Sequence, residues 1–97
     1  LDIVGNRLLK DSREVELTPI EYSLLKLFME NPGRVLKRDE LLNEVWGEDY
    51  YGDTKTLDVH IRRLREKIED NPSQPHFIKT VWGSGYRWKS ESDRRTL

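Results

Sequence analysis

The stretch LDVHIRRLREKIE, Leu57 to Glu69, reads as a helix with two unlike sides. At about 100° per residue, Leu57, Ile61, Leu64 and Ile68 fall in one narrow apolar stripe. The opposite side, extended back to Lys55 and Thr56, holds Val59, Arg62, Arg63 and Glu66, with Arg65 on one flank and His60 on the other. The stripe has to pack against other elements. The remaining surface concentrates positive charge in a 97-residue chain whose formal net charge is −1.

The distribution of charge explains that contrast. Residues 1–54 hold 7 Lys and Arg against 12 Asp and Glu, a balance of −5; residues 55–97 hold 10 against 6, or +4. Such asymmetry points to a polyanionic partner at the basic end. The plainer alternative is a solvated face. Arg62–Glu66 and Arg65–Glu69 have the i,i+4 spacing of ordinary surface pairs.

The surrounding chain supplies a frame for this helix. Residues 1–17 carry short mixed apolar runs split by Gly5-Asn6 and Lys10-Asp11-Ser12-Arg13, which predicts two or three short antiparallel strands. Thr18, Pro19 and Glu21 form the start signal of a helix, Leu24, Leu25 and Phe28 give it a buried face, and Asn31-Pro32-Gly33 ends it. The run VLKRDELLNEVWG, residues 35–47, predicts a second helix with Leu41, Leu42 and Val45 inward and Gly47 as its stop. Trp46 beside that stripe reads as core by default, the alternative being a partly exposed anchor. The third helix is expected from Lys55 to Glu69 or Asp70, capped by Asp53 or Thr54 and stopped by Asn71-Pro72. FIKTVWGSGYRWK, residues 77–89, alternates on both sides of Gly83-Ser84-Gly85 and predicts a β-hairpin, with Tyr86 and Trp88 in packing roles. The tail SESDRRTL, residues 90–97, lacks apolar content and is expected to be disordered.

Strands, three helices and a hairpin define an α+β fold of winged helix-turn-helix type: residues 1–89 as one domain, the second and third helices as the helix-turn-helix, and the hairpin as the wing. A B-DNA major groove admits one α-helix, Arg bridges O6 and N7 of guanine, and small apolar side chains such as those of Thr56 and Val59 meet a thymine methyl. Lys and Arg on the flanks neutralise phosphates. Lys79, Thr80, Arg87 and Lys89 are the polar candidates of the wing.

Other chemistries lack residues. The chain has no cysteine and two histidines. Neither histidine sits in a nucleophile or metal-ligand spacing, so no catalytic residue, metal or cofactor is expected. The Gly83-Ser84-Gly85 run lacks the strand-to-helix context of a phosphate loop. No apolar run approaches a membrane span, and no exposed aromatic platform suggests single-stranded RNA. A protein-binding winged helix would present a more apolar third helix than this one.

Four stretches carry a family likeness: VELTPIEYSLLKLFMENPGRVLKRDELLNEVWG, the acidic loop after it, TLDVHIRRLREKIE, and IKTVWGSGYRW. Together they resemble the OmpR/PhoB-type winged-helix effector domain of bacterial two-component response regulators. The resemblance implies a cytoplasmic transcription factor acting on double-stranded DNA, its third helix in the major groove and its hairpin wing on the neighbouring backbone or minor groove, with two copies head-to-tail on direct repeats. It implies an N-terminal receiver domain served by a sensor histidine kinase, and a four-stranded N-terminal sheet whose first strand precedes this chain. By position, Thr56, Val59 and Arg63, with Asp58, resemble base-facing residues. Lys55, His60, Arg62 and Arg65 resemble phosphate contacts, as do Arg38, Trp46, Thr80, Tyr86 and Arg87. The loop Glu48, Asp49, Tyr50, Tyr51, Gly52 and Asp53 resembles a segment that touches RNA polymerase. Two positions depart from the pattern of some members: Trp82 stands where they carry Arg in the wing, and Lys55 where they carry Arg at the helix start.

Overall fold

The computed structural model describes residues 1–5, 7–47 and 54–90. Among them, six strands and three helices follow in the order β1 (Asp2–Val4), β2 (Arg7–Lys10), β3 (Arg13–Val15), α1 (Pro19–Glu30), β4 (Val35–Lys37), α2 (Arg38–Trp46), α3 (Thr54–Ile68), β5 (Ile78–Val81) and β6 (Gly85–Trp88). The residues 91–97 of the expected tail and the loop 48–53 lie outside the described part.

The first sheet is an antiparallel meander, β1-β2-β3. Its second turn uses Asp11 and Ser12 at positive φ, where short polar side chains tolerate left-handed backbone. Leu8 is its fully buried member.

α1 starts as its sequence requires. Thr18 Oγ1 accepts from the Glu21 N–H at 3.2 Å, and Glu21 Oε1 accepts from the Thr18 N–H at 3.0 Å. This reciprocal pair satisfies two donors that a helix start leaves open. Glu21 is almost wholly buried, and Lys67 of α3 reaches it. Burial alone would push the Glu21 carboxyl up, but Lys67 and the Thr18 N–H outweigh it and hold it below its ordinary range. The ion pair therefore ties α1 to α3 where their apolar stripes meet.

Leu24, Leu25 and Phe28 of α1, Leu41 of α2, and Leu57, Ile61, Leu64 and Ile68 of α3 are fully buried in one core. The stripes expected on α1 and α3 thus pack as read, and on α2 Leu41 and Leu42 are buried while Val45 is half-buried against the core. Trp88 extends the core under the hairpin, stacked on Phe77 and facing Phe28 at centroid separations of 5.4 and 6.5 Å.

Two details differ from the sequence reading. Val35–Lys37 is a strand and not the first turn of a helix. It pairs antiparallel with β6, Val35 opposite Arg87 and Lys37 opposite Gly85, so the wing is a three-stranded sheet of order β4-β6-β5. α2 follows at once, with the Glu40 carboxylate accepting from the Lys37 N–H at 3.4 Å. The second difference is at α3, which begins at Thr54, so Thr54 is its first helical residue and not its cap. Asp53, the other candidate cap, lies outside the described residues.

Candidate nucleic-acid interface

α3 separates its two sides cleanly. Opposite the buried stripe, Lys55, Val59, Arg62, Arg63 and Glu66 are exposed, and Thr56 is half-buried beside them. Arg62 lies 3.5 Å from Glu66, with 84% and 56% of the two side chains exposed. A pair so open to water contributes at most about 1 kcal/mol, so leaving it costs Arg62 little. Arg63 and Val59 stand on the same outward row. These are the positions expected to face bases and phosphates, and the fold brings them together.

A second group, expected to contact DNA directly, is occupied inside the protein. Asp58 Oδ1 accepts from Arg38 Nε at 3.1 Å and from the Tyr86 hydroxyl at 2.5 Å. Tyr86 is 4% exposed. Burial and the Asp58 carboxylate push its phenol up, against an opposing pull from Arg38. Asp58 in turn holds the Arg38 guanidinium charged above its ordinary range. The structure thus gives Asp58 and Tyr86 a positioning role: they fasten the start of α2, α3 and the wing at one point.

Arg65 is the clearest departure from expectation. Its guanidinium donates to the Ile78 carbonyl from Nε at 3.1 Å and from Nη2 at 2.8 Å, and to Thr80 Oγ1 at 2.9 Å. It also lies over the Tyr86 ring, as Arg38 does. Desolvation lowers its pKa. The carbonyl, the hydroxyl and the aromatic face compensate the half-buried cation. Arg65 and Thr80 brace the wing against α3. Nor does Arg65 pair with Glu69 as its spacing suggested: the Glu69 carboxylate accepts from the backbone N–H groups of His76, Phe77 and Ile78.

His60 packs its ring against Trp46 at 5.5 Å. Its Nδ1 is buried without a hydrogen-bond partner, which leaves that nitrogen out of reach of a phosphate. Trp46 is half-buried against the core rather than enclosed by it. Arg87 and Lys79 lie opposite one another on β6 and β5. At the hairpin tip Trp82 is 89% exposed. The loop expected to meet RNA polymerase, Glu48 to Asp53, lies outside the described residues. Among the described residues there is no cluster of metal-binding side chains and no helix long and apolar enough to cross a membrane.

Comparison with known proteins follows the same lines. The family described as "Transcriptional regulatory protein, C terminal" matches residues 12–88. The alkaline phosphatase synthesis transcriptional regulatory protein SphR of Synechococcus elongatus is 59% identical over 81 residues, covering 84% of this chain and 32% of that protein. The chain therefore spans about a third of the length of that curated relative. Among solved structures, the Klebsiella pneumoniae RstA DNA-binding domain in complex with the RstA box superposes with a TM-score of 0.80 at 33% identity, covering 91% of this chain and 87% of that one. Thermotoga maritima DrrB, a response regulator and OmpR/PhoB homologue, superposes with a TM-score of 0.78 at 29% identity, covering 92% of this chain and 44% of that one.

Proposed function

Because the chain belongs to the family of C-terminal domains of OmpR/PhoB-type transcriptional regulatory proteins, we propose that it binds double-stranded DNA in a sequence-specific manner, with α3 in the major groove and the wing on the neighbouring backbone or minor groove. The observation that carries this reading is the outward row of α3, where Lys55, Arg62 and Arg63 stand exposed opposite the buried stripe. The RstA relative, whose solved structure contains its DNA box, supports the reading.

The roles follow from reach. Arg63, Val59 and Thr56 face base edges, where Arg supplies two parallel donors to guanine and the small side chains accept a thymine methyl. Arg62 and Lys55 meet phosphates on either side. Lysine keeps the charge at position 55 but without the forked geometry of arginine. Arg38, half-exposed beside Asp58, presents its remaining donors from the start of α2. Asp58, Tyr86, Arg65 and Thr80 position these groups and the wing.

Two measurements test the assignment. Arg63→Ala should lower discrimination between the selected site and random DNA by about 1–3 kcal/mol, the worth of one bidentate base contact. Unchanged discrimination in a competition assay removes Arg63 from base reading. Arg62→Ala should weaken binding to all sequences alike, and the slope of log affinity against log salt should fall by about one. An unaltered slope shows that Arg62 neutralises no phosphate.

The wider setting is part of the same proposal and is supported by the sequence resemblance. It comprises a receiver domain under a sensor histidine kinase, a head-to-tail pair on direct repeats, contact with RNA polymerase through the loop after α2, and a cytoplasmic location. Selection of bound duplexes from a random pool at two salt concentrations tests its central element. A short motif repeated in direct orientation one helical turn apart is the expected result; salt-sensitive binding with no motif would remove sequence specificity from the reading.

A further inference from the structure

Glu66 is an exposed carboxylate on a face of α3 that otherwise offers cations and small side chains. At about 100° per residue it falls within about 20° of Val59 and almost opposite the middle of the buried stripe. Arg62 and Arg63 lie about 40° and 60° to its two sides. Glu66 therefore stands on the midline of the outward face. In a helix laid into a groove, that line points at the floor and its base edges. Its present partner holds it loosely: Arg62 Nε is 3.5 Å away, and 56% of the Glu66 side chain is exposed. The other acid of α3, Asp58, is by contrast held through Oδ1 by Arg38 and Tyr86.

A carboxylate can only accept hydrogen bonds. Against a phosphate, a purine N7, guanine O6 or thymine O4 it meets another acceptor and gives up water without compensation. The donors on a major-groove floor are the exocyclic amino groups, N4 of cytosine and N6 of adenine. Adenine sets its N7 acceptor beside N6, whereas cytosine carries no second acceptor there. Cytosine is thus the base that suits Glu66. The helix rise gives the register. Glu66 lies about 4.5 Å beyond Arg63 and about 10 Å beyond Val59. At 3.4 Å per base pair these are roughly one and three steps.

We propose that Glu66 reads a cytosine in the major groove, just beyond the guanine assigned to Arg63, by accepting a hydrogen bond from its N4 amino group. This rests on the DNA-binding reading above and adds a base position to it. At a site with cytosine, the carboxylate exchanges Arg62 for the amino group and releases Arg62 to a phosphate. At any other site the charge goes unanswered and weakens binding. Glu66 therefore acts on specificity twice, by attraction at the right sequence and by repulsion elsewhere.

The test uses the 97-residue chain and the duplex motif it selects from a random pool. Arg63→Ala identifies the guanine that Arg63 reads. The next two base pairs, on the side away from Val59, are then set in turn to C·G, G·C, A·T and T·A. The parent chain should prefer one orientation of the C·G pair over its reverse by roughly 10-fold, the scale of a single mismatch. Glu66→Ala should erase that preference and keep the guanine under Arg63. It should also bind random DNA up to about 5-fold more tightly, the largest gain that freeing Arg62 from an open ion pair allows. Glu66→Gln should accept both orientations, because an amide accepts and donates. The side chain stands mostly in water, so neither substitution disturbs the fold. A parent chain indifferent at both positions, or a Glu66→Ala variant that keeps the preference, overturns the proposal and leaves the DNA-binding reading intact. So does a Glu66→Ala variant that binds every duplex more tightly by one factor, since Glu66 is then only the counter-charge of Arg62. Failure of the parent chain to select any motif overturns both.

Discussion

Gly85→Ala should unfold or severely loosen the wing, lowering stability by about 3 kcal/mol or more. A Cβ built at Gly85 would lie 2.1 Å from the Leu36 carbonyl oxygen and 3.0 Å from Lys37 Cα. Both obstacles are backbone, so no side-chain rotation relieves them. The residue also has φ +156°. It sits where β6 is paired on both sides, opposite Lys37 of β4 and Val81 of β5. The added methyl therefore pushes β4 off β6, and β4 runs directly into α2. Denaturant unfolding monitored by circular dichroism should show the midpoint falling sharply. DNA affinity should fall even below the temperature at which the chain unfolds, because the start of α2 moves with the strand. A midpoint within about 0.5 kcal/mol of the parent, the range of innocuous surface changes, would mean that the β4–β6 contact is looser than described.

Glu69→Ala should cost nearly as much, about 3–5 kcal/mol, by stranding the backbone donors that the carboxylate serves. Glu69 is 5% exposed. One oxygen accepts from His76 N–H at 2.7 Å and the other from Ile78 N–H at 2.9 Å, while Phe77 N–H reaches both at 3.0 Å. Hydrogen bonds to a charged acceptor are worth more than neutral ones, and alanine leaves no acceptor in their place. Glu69→Gln separates charge from geometry: its carbonyl oxygen can serve one side, and its amide group cannot accept. The expected order of stability is parent, then Gln, then Ala. Calorimetric or chemical unfolding of the three proteins gives the answer, and equal stability of Ala and parent would contradict the role of Glu69 as the clasp between α3 and β5.

Glu69 also marks where local sequence stops being informative. Four residues after Arg65 it has the spacing of a surface ion pair, and nothing nearby in the chain announces that its partners are N–H groups past a loop. Arg65 misleads in the same way, because its carbonyl and hydroxyl partners belong to a strand thirteen and fifteen positions on. By contrast, the capping box of Thr18 and Glu21 is written within four residues and forms as read. The stripe Leu57, Ile61, Leu64, Ile68 is a periodicity within one element, and it is buried as read. β4 failed for lack of a boundary: Val35–Lys37 runs into α2 without a breaker, and its pairing partner lies some fifty residues away. The bond between the Lys37 N–H and Glu40 was its one local sign. The outward row of α3 was legible because exposure and charge are properties of the helix itself. The network of Asp58, Arg38 and Tyr86 was not, because three elements must first be brought together to form it.

The division of labour along α3 has an evolutionary consequence. Arg65 and Lys67 are tied to the wing and to α1, and the leucines and isoleucines fill the core, so these positions constrain one another. Val59 and Arg63 stand outside that web. Substitutions there should change stability by no more than about 0.5 kcal/mol while altering the chemistry that, on the proposed reading, is presented to a base pair. A duplicated copy of the gene can therefore drift to a new operator one outward residue at a time, without passing through an unstable intermediate.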